Sequence, residues 1–187
     1  LLSSYCLLST VYCLLSTPSC YTGGMAVMRI TEFPEKVLKE AGAPVESFDA
    51  EFEKLVADMF ETMYAAEGVG LAAPQVGLGL RLFVMDCDGL KLVAANPEIL
   101  SAEGEQEGEE GCLSVGKIHA PLRRAARVRL RAQDVRGEWF EREAEGLAAR
   151  CFLHETDHCD GTLFIDRLSP LRRDMVKRRF QKVKRWR

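Results

Sequence analysis

Two imidazoles and two carboxylates stand together in His154-Glu155-Thr156-Asp157-His158. On a helix, residues four apart lie one turn from each other on the same face, so both histidines can reach a single metal ion. Glu155, beside the first histidine, sits at the edge of that face, where it can take a proton from a water activated by the metal. The alternative is a pair of satisfied histidines on a polar helix face. The flanking residues support the helix: Ala148, Ala149 and Leu153 favour it, Cys151 and Phe152 supply an apolar flank, and Asp160-Gly161 supplies a stop. A third ligand has to come from elsewhere in the chain. Apart from the pair, the only histidine is His119. Cys112, in Glu110-Gly111-Cys112-Leu113-Ser114, is the better candidate, since a thiol near a divalent cation is deprotonated outright. Taken alone, Cys112 reads equally as a small buried hydrophobe, as do Cys87, Cys151 and Cys159.

The remaining sequence has to position these groups. A chain of 187 residues with net charge −3 suits one domain, with or without a tail. Its charge is unevenly spread, with glutamates crowded between Glu103 and Glu110 and a basic run from Arg172 to Arg187. Seven cysteines, an odd number in a chain of this length, argue against a disulfide framework and for a reducing compartment. Residues 1–24 differ from the rest: Tyr5-Cys-Leu-Leu-Ser-Thr recurs as Tyr12-Cys-Leu-Leu-Ser-Thr, without charge. The tract lacks the basic start of a signal peptide, the arginines of a transit peptide and an apolar run able to span a bilayer. It is read as sequence translated ahead of a start at Met25, with a targeting segment as the alternative, and the domain is placed at 25–187.

From Met25 the pattern predicts a short helix at 34–39. A longer one follows, carrying Phe48, Phe52, Leu55, Val56, Met59, Phe60 and Met63 on a core face, with Ser47 or Asp49 as its cap. Gly68 to Gly77 is too apolar and glycine-rich for a solvent turn and lacks the ending of a phosphate loop; it suits a wall along an extended substrate. Strands are expected at 82–86 and 90–94 around an Asp88-Gly89 turn, the second broken at Asn96-Pro97, and at 127–133 and 139–144 around Gly137. Ser169 is expected to cap a C-terminal helix, with Leu171, Met175, Val176, Phe180 and Val183 as its packed stripe and Arg172, Arg173, Lys177, Arg178, Lys182, Lys184 and Arg185 on the other faces. The expected class is α+β, with short antiparallel strands packed around a central metal-binding helix.

Gly68-Val-Gly-Leu-Ala-Ala-Pro-Gln75, Glu110-Gly-Cys-Leu-Ser114 and His154-Glu-Thr-Asp-His158 resemble, in that order, the three motifs of peptide deformylases, which remove the N-formyl group from nascent chains made by bacterial-type ribosomes. The resemblance runs from about Met25 to the C-terminus. It implies that Cys112, His154 and His158 hold one divalent metal, Fe(2+) foremost, with Zn(2+) or Ni(2+) as substitutes. A metal-bound water would attack the formyl carbon, with Glu155 as general acid and base, while Gln75 and the backbone N–H of Leu113 stabilise the oxyanion. Val69, Gly70 and Gly111 would line the extended formylmethionyl peptide, and Cys151 its methionine side chain.

The same resemblance implies a bacterial cytoplasmic location (an organelle if residues 1–24 are a transit segment), a monomer and no membrane. It also suggests contact with the ribosome near the exit tunnel through the basic C-terminal helix.

Several positions depart from the family pattern: Leu153, Cys159, His119, Arg123 and Arg150. None is a proposed ligand, and they bear on substrate preference and efficiency. Arg150 stands where an apolar residue borders the methionine pocket. Its stem is expected to snorkel and carry the charge to water, because an unpaired buried charge costs several kcal/mol. Three other classes of protein fit less well. A zinc endopeptidase recruits a different third ligand, a noncatalytic metal module has no use for Glu155 and Gln75, and an RNA-binding protein led by the basic tail lacks recognition motifs.

Overall fold

The computed structural model describes residues 26–116 and 118–185, and residues 1–24 lie outside them. Helix α1 (Ala50–Ala65) starts where the sequence places a cap, with the Asp49 carboxylate accepting from the backbone N–H groups of Glu51 (3.1 Å) and Phe52 (3.0 Å). Strands β1 (Gly70–Ala72), β2 (Leu82–Cys87), β3 (Leu90–Glu103), β6 (Arg127–Gln133) and β7 (Trp139–Glu145) form one antiparallel sheet in the order β1-β2-β3-β6-β7. Strands β4 (Gln106–Gly111) and β5 (His119–Arg124) form a separate antiparallel hairpin. Helix α2 (Gly146–Cys159) lies centrally and ends at Asp160-Gly161, and α3 (Pro170–Lys184) closes the described chain. This is the α+β arrangement of antiparallel strands around a central helix that the sequence implied.

Four local expectations need correction. The segment at 68–77 is not a bare loop. It contains the edge strand β1 and a buried 3-10 turn, Ala73–Val76, because its apolar residues pair with β2 and fill the core beneath α1. Asn96-Pro97 does not end its strand; the register shifts between Ala95 and Glu98 and pairing with β6 resumes. Asn96, at φ +52°, satisfies the bulge with its own amide, bonding Val45 N–H (2.8 Å), Val45 O (2.9 Å) and Gln133 Oε1 (2.7 Å). At the head of α3 the Ser169 side chain makes no capping bond; its carbonyl accepts from Arg173 N–H instead. The apolar stripe of α3 is only partly used: Val176 and Phe180 are buried, but Leu171 (73%) and Met175 (62%) are exposed. Its apolar contact with the body is made at the middle of the helix, where Phe180 packs edge-on against Phe33, 6.2 Å between ring centres. Arg172 near its start bonds Pro121 O (3.4 Å), and Lys184 at its end pairs with Glu32 (3.4 Å).

The hairpin β4-β5 was not foreseen, since Gln106–Gly111 carries no β-branched or aromatic residue. It matters because its strands end at the chemistry. One apolar cluster joins α2, through Ala148, Ala149, Cys151, Phe152 and Cys159, to the five-stranded sheet. Another joins the hairpin, through Ala120 and Leu122, to Leu163–Ile165 and α3. The metal-binding motif lies along the seam between them.

Candidate metal centre

Helix α2 presents Arg150, His154 and His158 at successive turns of one face, with Cys151 and Glu155 on the adjacent one. All five are buried. Cys112 enters from the hairpin side, immediately after β4, and its Sγ lies 3.3 Å from His158 Nε2. One ligand atom from each of Cys112, His154 and His158 lies within 4.8 Å of the other two. The imidazole ring centres of His154 and His158 are 4.9 Å apart, with the planes at 76°.

These residues suit a transition-metal ion. A thiolate with two imidazoles is a borderline-soft donor set for Fe(II), Zn(II) or Ni(II). His154 has committed Nδ1 to Glu110 Oε1 at 2.8 Å, which leaves Nε2 as the atom it could offer a metal. Three protein ligands, rather than four, match a catalytic centre with a coordination position for substrate or water.

Behind the ligands lies a network of buried charge. Arg124, from β5, grips Glu110 through Nε (3.0 Å) and Nη2 (2.6 Å) and reaches Asp157 on α2 through Nη1 (2.7 Å). Arg167 bonds the same Asp157 through Nε at 2.6 Å and through Nη2. Burial pushes the Glu110 carboxyl up, but hydrogen bonds and charge from His154 and Arg124 outweigh it and hold the group well below the ordinary range. Burial lowers the His154 imidazole, and bonds to Cys112 and Glu110 more than reverse that, leaving it raised. Burial, helped by the charge of His154, lowers His158.

Glu155 and Gln75 flank the ligands. Burial, chiefly, raises the Glu155 carboxyl to about 7, with Glu110 and Asp157 adding to the rise and His154 opposing it. Glu155 lies against the backbone of Gly70: a Cβ built there would fall 2.8 Å from Cys151 Sγ and closer still to Glu155 Oε1. Gln75 Oε1 accepts from Ala72 N–H at 2.8 Å, which turns the amide nitrogen toward Cys112 Sγ (3.6 Å) and Ser114 Oγ (3.4 Å). Leu113 is the first residue of a 3-10 turn, so its N–H is not spent within that turn.

A cleft of about 430 Å³ joins these groups. Val69, Gly70, Gln75, Gly111, Cys112, Leu113, Cys151, His154 and Glu155 all line it, so nine of the ten residues singled out from sequence border one cavity. His158 is the tenth and sits fully buried beneath it. Sequence reasoning gave no role to Glu110, Arg124 or Asp157. In β5 the alternation of Ala120 and Leu122 puts Arg124 on the same inward face, a signal that could have found it; Glu110, in a strand with no apolar alternation, gave none.

Arg150 overturns its expectation. It does not reach water: it is 5% exposed, and Nη1 donates to Glu110 Oε2 (3.0 Å) and Leu122 O (3.0 Å). The charge is buried because a carboxylate waits for it, which the sequence pattern around Arg150 did not reveal. His119 is exposed on the cleft wall, Arg123 pairs on the surface with Glu105 (3.6 Å) and Glu107 (3.8 Å), and Cys159 is a free core thiol.

The model of the polypeptide deformylase family matches residues 27–174. The chain belongs to that family. A peptide deformylase of Acidobacterium capsulatum is 48% identical over 166 residues, covering 86% of this chain and 98% of the relative. The crystal structure of a peptide deformylase from Legionella pneumophila superposes with a TM-score of 0.83 at 48% identity, over 86% of this chain and 97% of that one. The plant peptide deformylase 1B of Arabidopsis thaliana, solved with an inhibitor, superposes at 0.79 with 35% identity, over 84% and 91%. Membership of a deformylase family makes the chain a hydrolase, and the Cys112, His154 and His158 group could hold the metal of such an enzyme. No helix among the described residues is long and apolar enough to cross a membrane.

Proposed function

We propose that the chain removes the formyl group from the N-terminal formylmethionine of newly made polypeptides, using Cys112, His154 and His158 as metal ligands. The observation that carries this is the convergence of those ligand atoms, within 4.8 Å, beside Glu155 and Gln75 in one cleft. When bound, a divalent cation supplies Lewis-acid polarisation of the formyl carbonyl and lowers the pKa of a water. Fe(2+) is the proposed resident ion, on the family resemblance.

Glu155 takes the proton of the attacking water and delivers it to the departing amine nitrogen. Burial raises this carboxyl, which strengthens it as the acceptor of that proton. The Gln75 amide and the Leu113 N–H donate to the oxyanion as the formyl carbon becomes tetrahedral, and losing one such donor typically costs about 3 kcal/mol of barrier. β1 is the edge of its sheet, so the peptide lies beside Val69 and Gly70 as an added strand, facing Gly111 across the cleft, with its methionine side chain near Cys151.

The catalytic domain is proposed to span 25–187, and the enzyme to work as a cytoplasmic monomer. Its basic α3 is proposed to contact ribosomal RNA near the exit tunnel, a reading supported by exposed Arg172, Arg178, Arg179 and Lys182.

Formate release from a formyl-Met tripeptide by anaerobically prepared protein, with metal content measured alongside, tests the central reading. Release proportional to bound metal is expected. Full Fe(2+) occupancy without release overturns it.

A further inference from the structure

We infer that Arg150 is a positioning residue for the metal centre, acting through Glu110 on His154. The inference rests on the reading of His154 as a ligand. Arg150 stands one turn before His154 on the same face of α2, and the Glu110 carboxylate bridges the two. Oε2 accepts from Arg150 Nη1 at 3.0 Å, while Oε1 meets His154 Nδ1 at 2.8 Å. The same Nη1 donates to Leu122 O at 3.0 Å, so one guanidinium touches α2, β4 and β5 at once.

Those contacts lie where apolar packing is missing. α2 buries its apolar side against the five-stranded sheet, whereas the hairpin belongs to the cluster around Leu163–Ile165 and α3. Buried charge therefore clamps the hairpin to α2 at two points. Arg124 reaches Asp157 beside His158, and Arg150 reaches Glu110 beside His154. Cys112 directly follows β4, so the clamp sets the separation between the thiol and the imidazoles as well as the orientation of the His154 ring.

β4 leaves room for the side chain. A Cβ built on Gly108 would lie 3.2 Å from Arg150 Nη2, tighter than ordinary contact. Gly108 pairs with Leu122 across the hairpin, which puts the space for the guanidinium opposite the carbonyl it binds.

The test measures Zn(II) affinity of the full chain, stripped of metal, by competition with a chromophoric chelator. Circular dichroism and urea unfolding accompany it, and kcat and KM are measured on the metal-saturated enzyme. Arg150→Met keeps the unbranched stem and removes the donors. Its Zn(II) affinity is expected to fall about tenfold, the low end for a partner of a metal ligand, because Arg124 still holds the carboxylate. Arg150→Lys should recover part of that loss, kcat should fall more than KM changes, and Gly108→Ala should weaken Zn(II) binding by roughly threefold through displacement of the guanidinium.

A merely structural Arg150 would lower the unfolding midpoint and leave the Zn(II) affinity of the folded protein untouched. That result in Arg150→Met overturns the inference. Should Arg150→Met not fold, wild-type affinity in both Arg150→Lys and Gly108→Ala overturns it equally. His154→Ala separates the two levels: retained Zn(II) affinity there refutes the ligand reading itself. Lost affinity in His154→Ala with none lost in Arg150→Met refutes only the role of Arg150.

Discussion

The two long sides of α2 are held by different physics. On one, Ala149, Phe152 and Cys159, each with no exposed surface, pack into the core of the five-stranded sheet. On the other, Arg124, Arg150, Glu110, Asp157 and His154 meet in a seam where the polar groups are nearly as buried. Burial of apolar area is non-directional, so the first side fixes where the helix lies with little demand on any single geometry. Desolvated ions are stable only in mutual contact, so the second side fixes distances and angles. Metal ligation requires that second kind of constraint, and the group that could hold a metal, Cys112, His154 and His158, occurs on that side.

The comparison is broken most forcefully at the ligand face. Replacing Cys112 by Ala is expected to abolish both bound metal and turnover. Replacing Glu155 by Ala is expected to keep the metal and lower kcat by about 100- to 10,000-fold. Metal analysis beside formate release separates the two, and a Cys112→Ala protein with full metal would refute the ligand set.

A matched pair of deletions sharpens the contrast between the sides. Glu110→Ala leaves Arg150 buried without a carboxylate and Arg124 with Asp157 alone, and should cost about 3–5 kcal/mol in urea unfolding. Phe152→Ala should cost a similar amount, about 3–5 kcal/mol, through the cavity it leaves. Only Glu110→Ala should also weaken Zn(II) binding by the folded protein. Equal weakening in both would show that the apolar side sets ligand geometry too.

Gly70→Ala tests the cleft wall. Its methyl would collide with Glu155 and Cys151, displacing the carboxylate. A misplacement near 1 Å costs roughly 100-fold in rate, so kcat should fall by about that factor while metal content holds. Unaltered kcat would show that Glu155 has freedom to spare.

Acid exposes the seam more gently. The Glu110 carboxyl titrates below its ordinary 4.5 in the folded protein, so its contribution is present above that pH and is lost as pH falls further. Glu110→Gln should therefore be less stable at neutral pH and show a shallower decline below it, read from unfolding midpoints across pH. The smallest effect belongs to exposed Leu171 and Met175, where Ala should change stability by no more than about 0.5 kcal/mol.

What residue order determined was local. Two histidines four apart on a helix, with a glutamate between them, define one chelating face whatever surrounds it, because the α-helical repeat is fixed. A cap at Ser47 or Asp49 (Asp49 in the structure), the Asp88-Gly89 turn and the stop at Asp160-Gly161 were legible for the same reason, each depending on a few neighbouring dihedrals. Three ordered motifs likewise carried the family, and the run of helices and hairpin strands carried the α+β class. The bulge at Asn96 was hidden because its satisfaction comes from Val45 and Gln133, distant in sequence. The charged strand β4 was hidden because its pairing comes from β5 and its packing from the body. Tertiary structure alone decided that Arg150 points inward, since whether a charge can be buried depends on a partner forty residues away, Glu110, and no local pattern encodes that encounter.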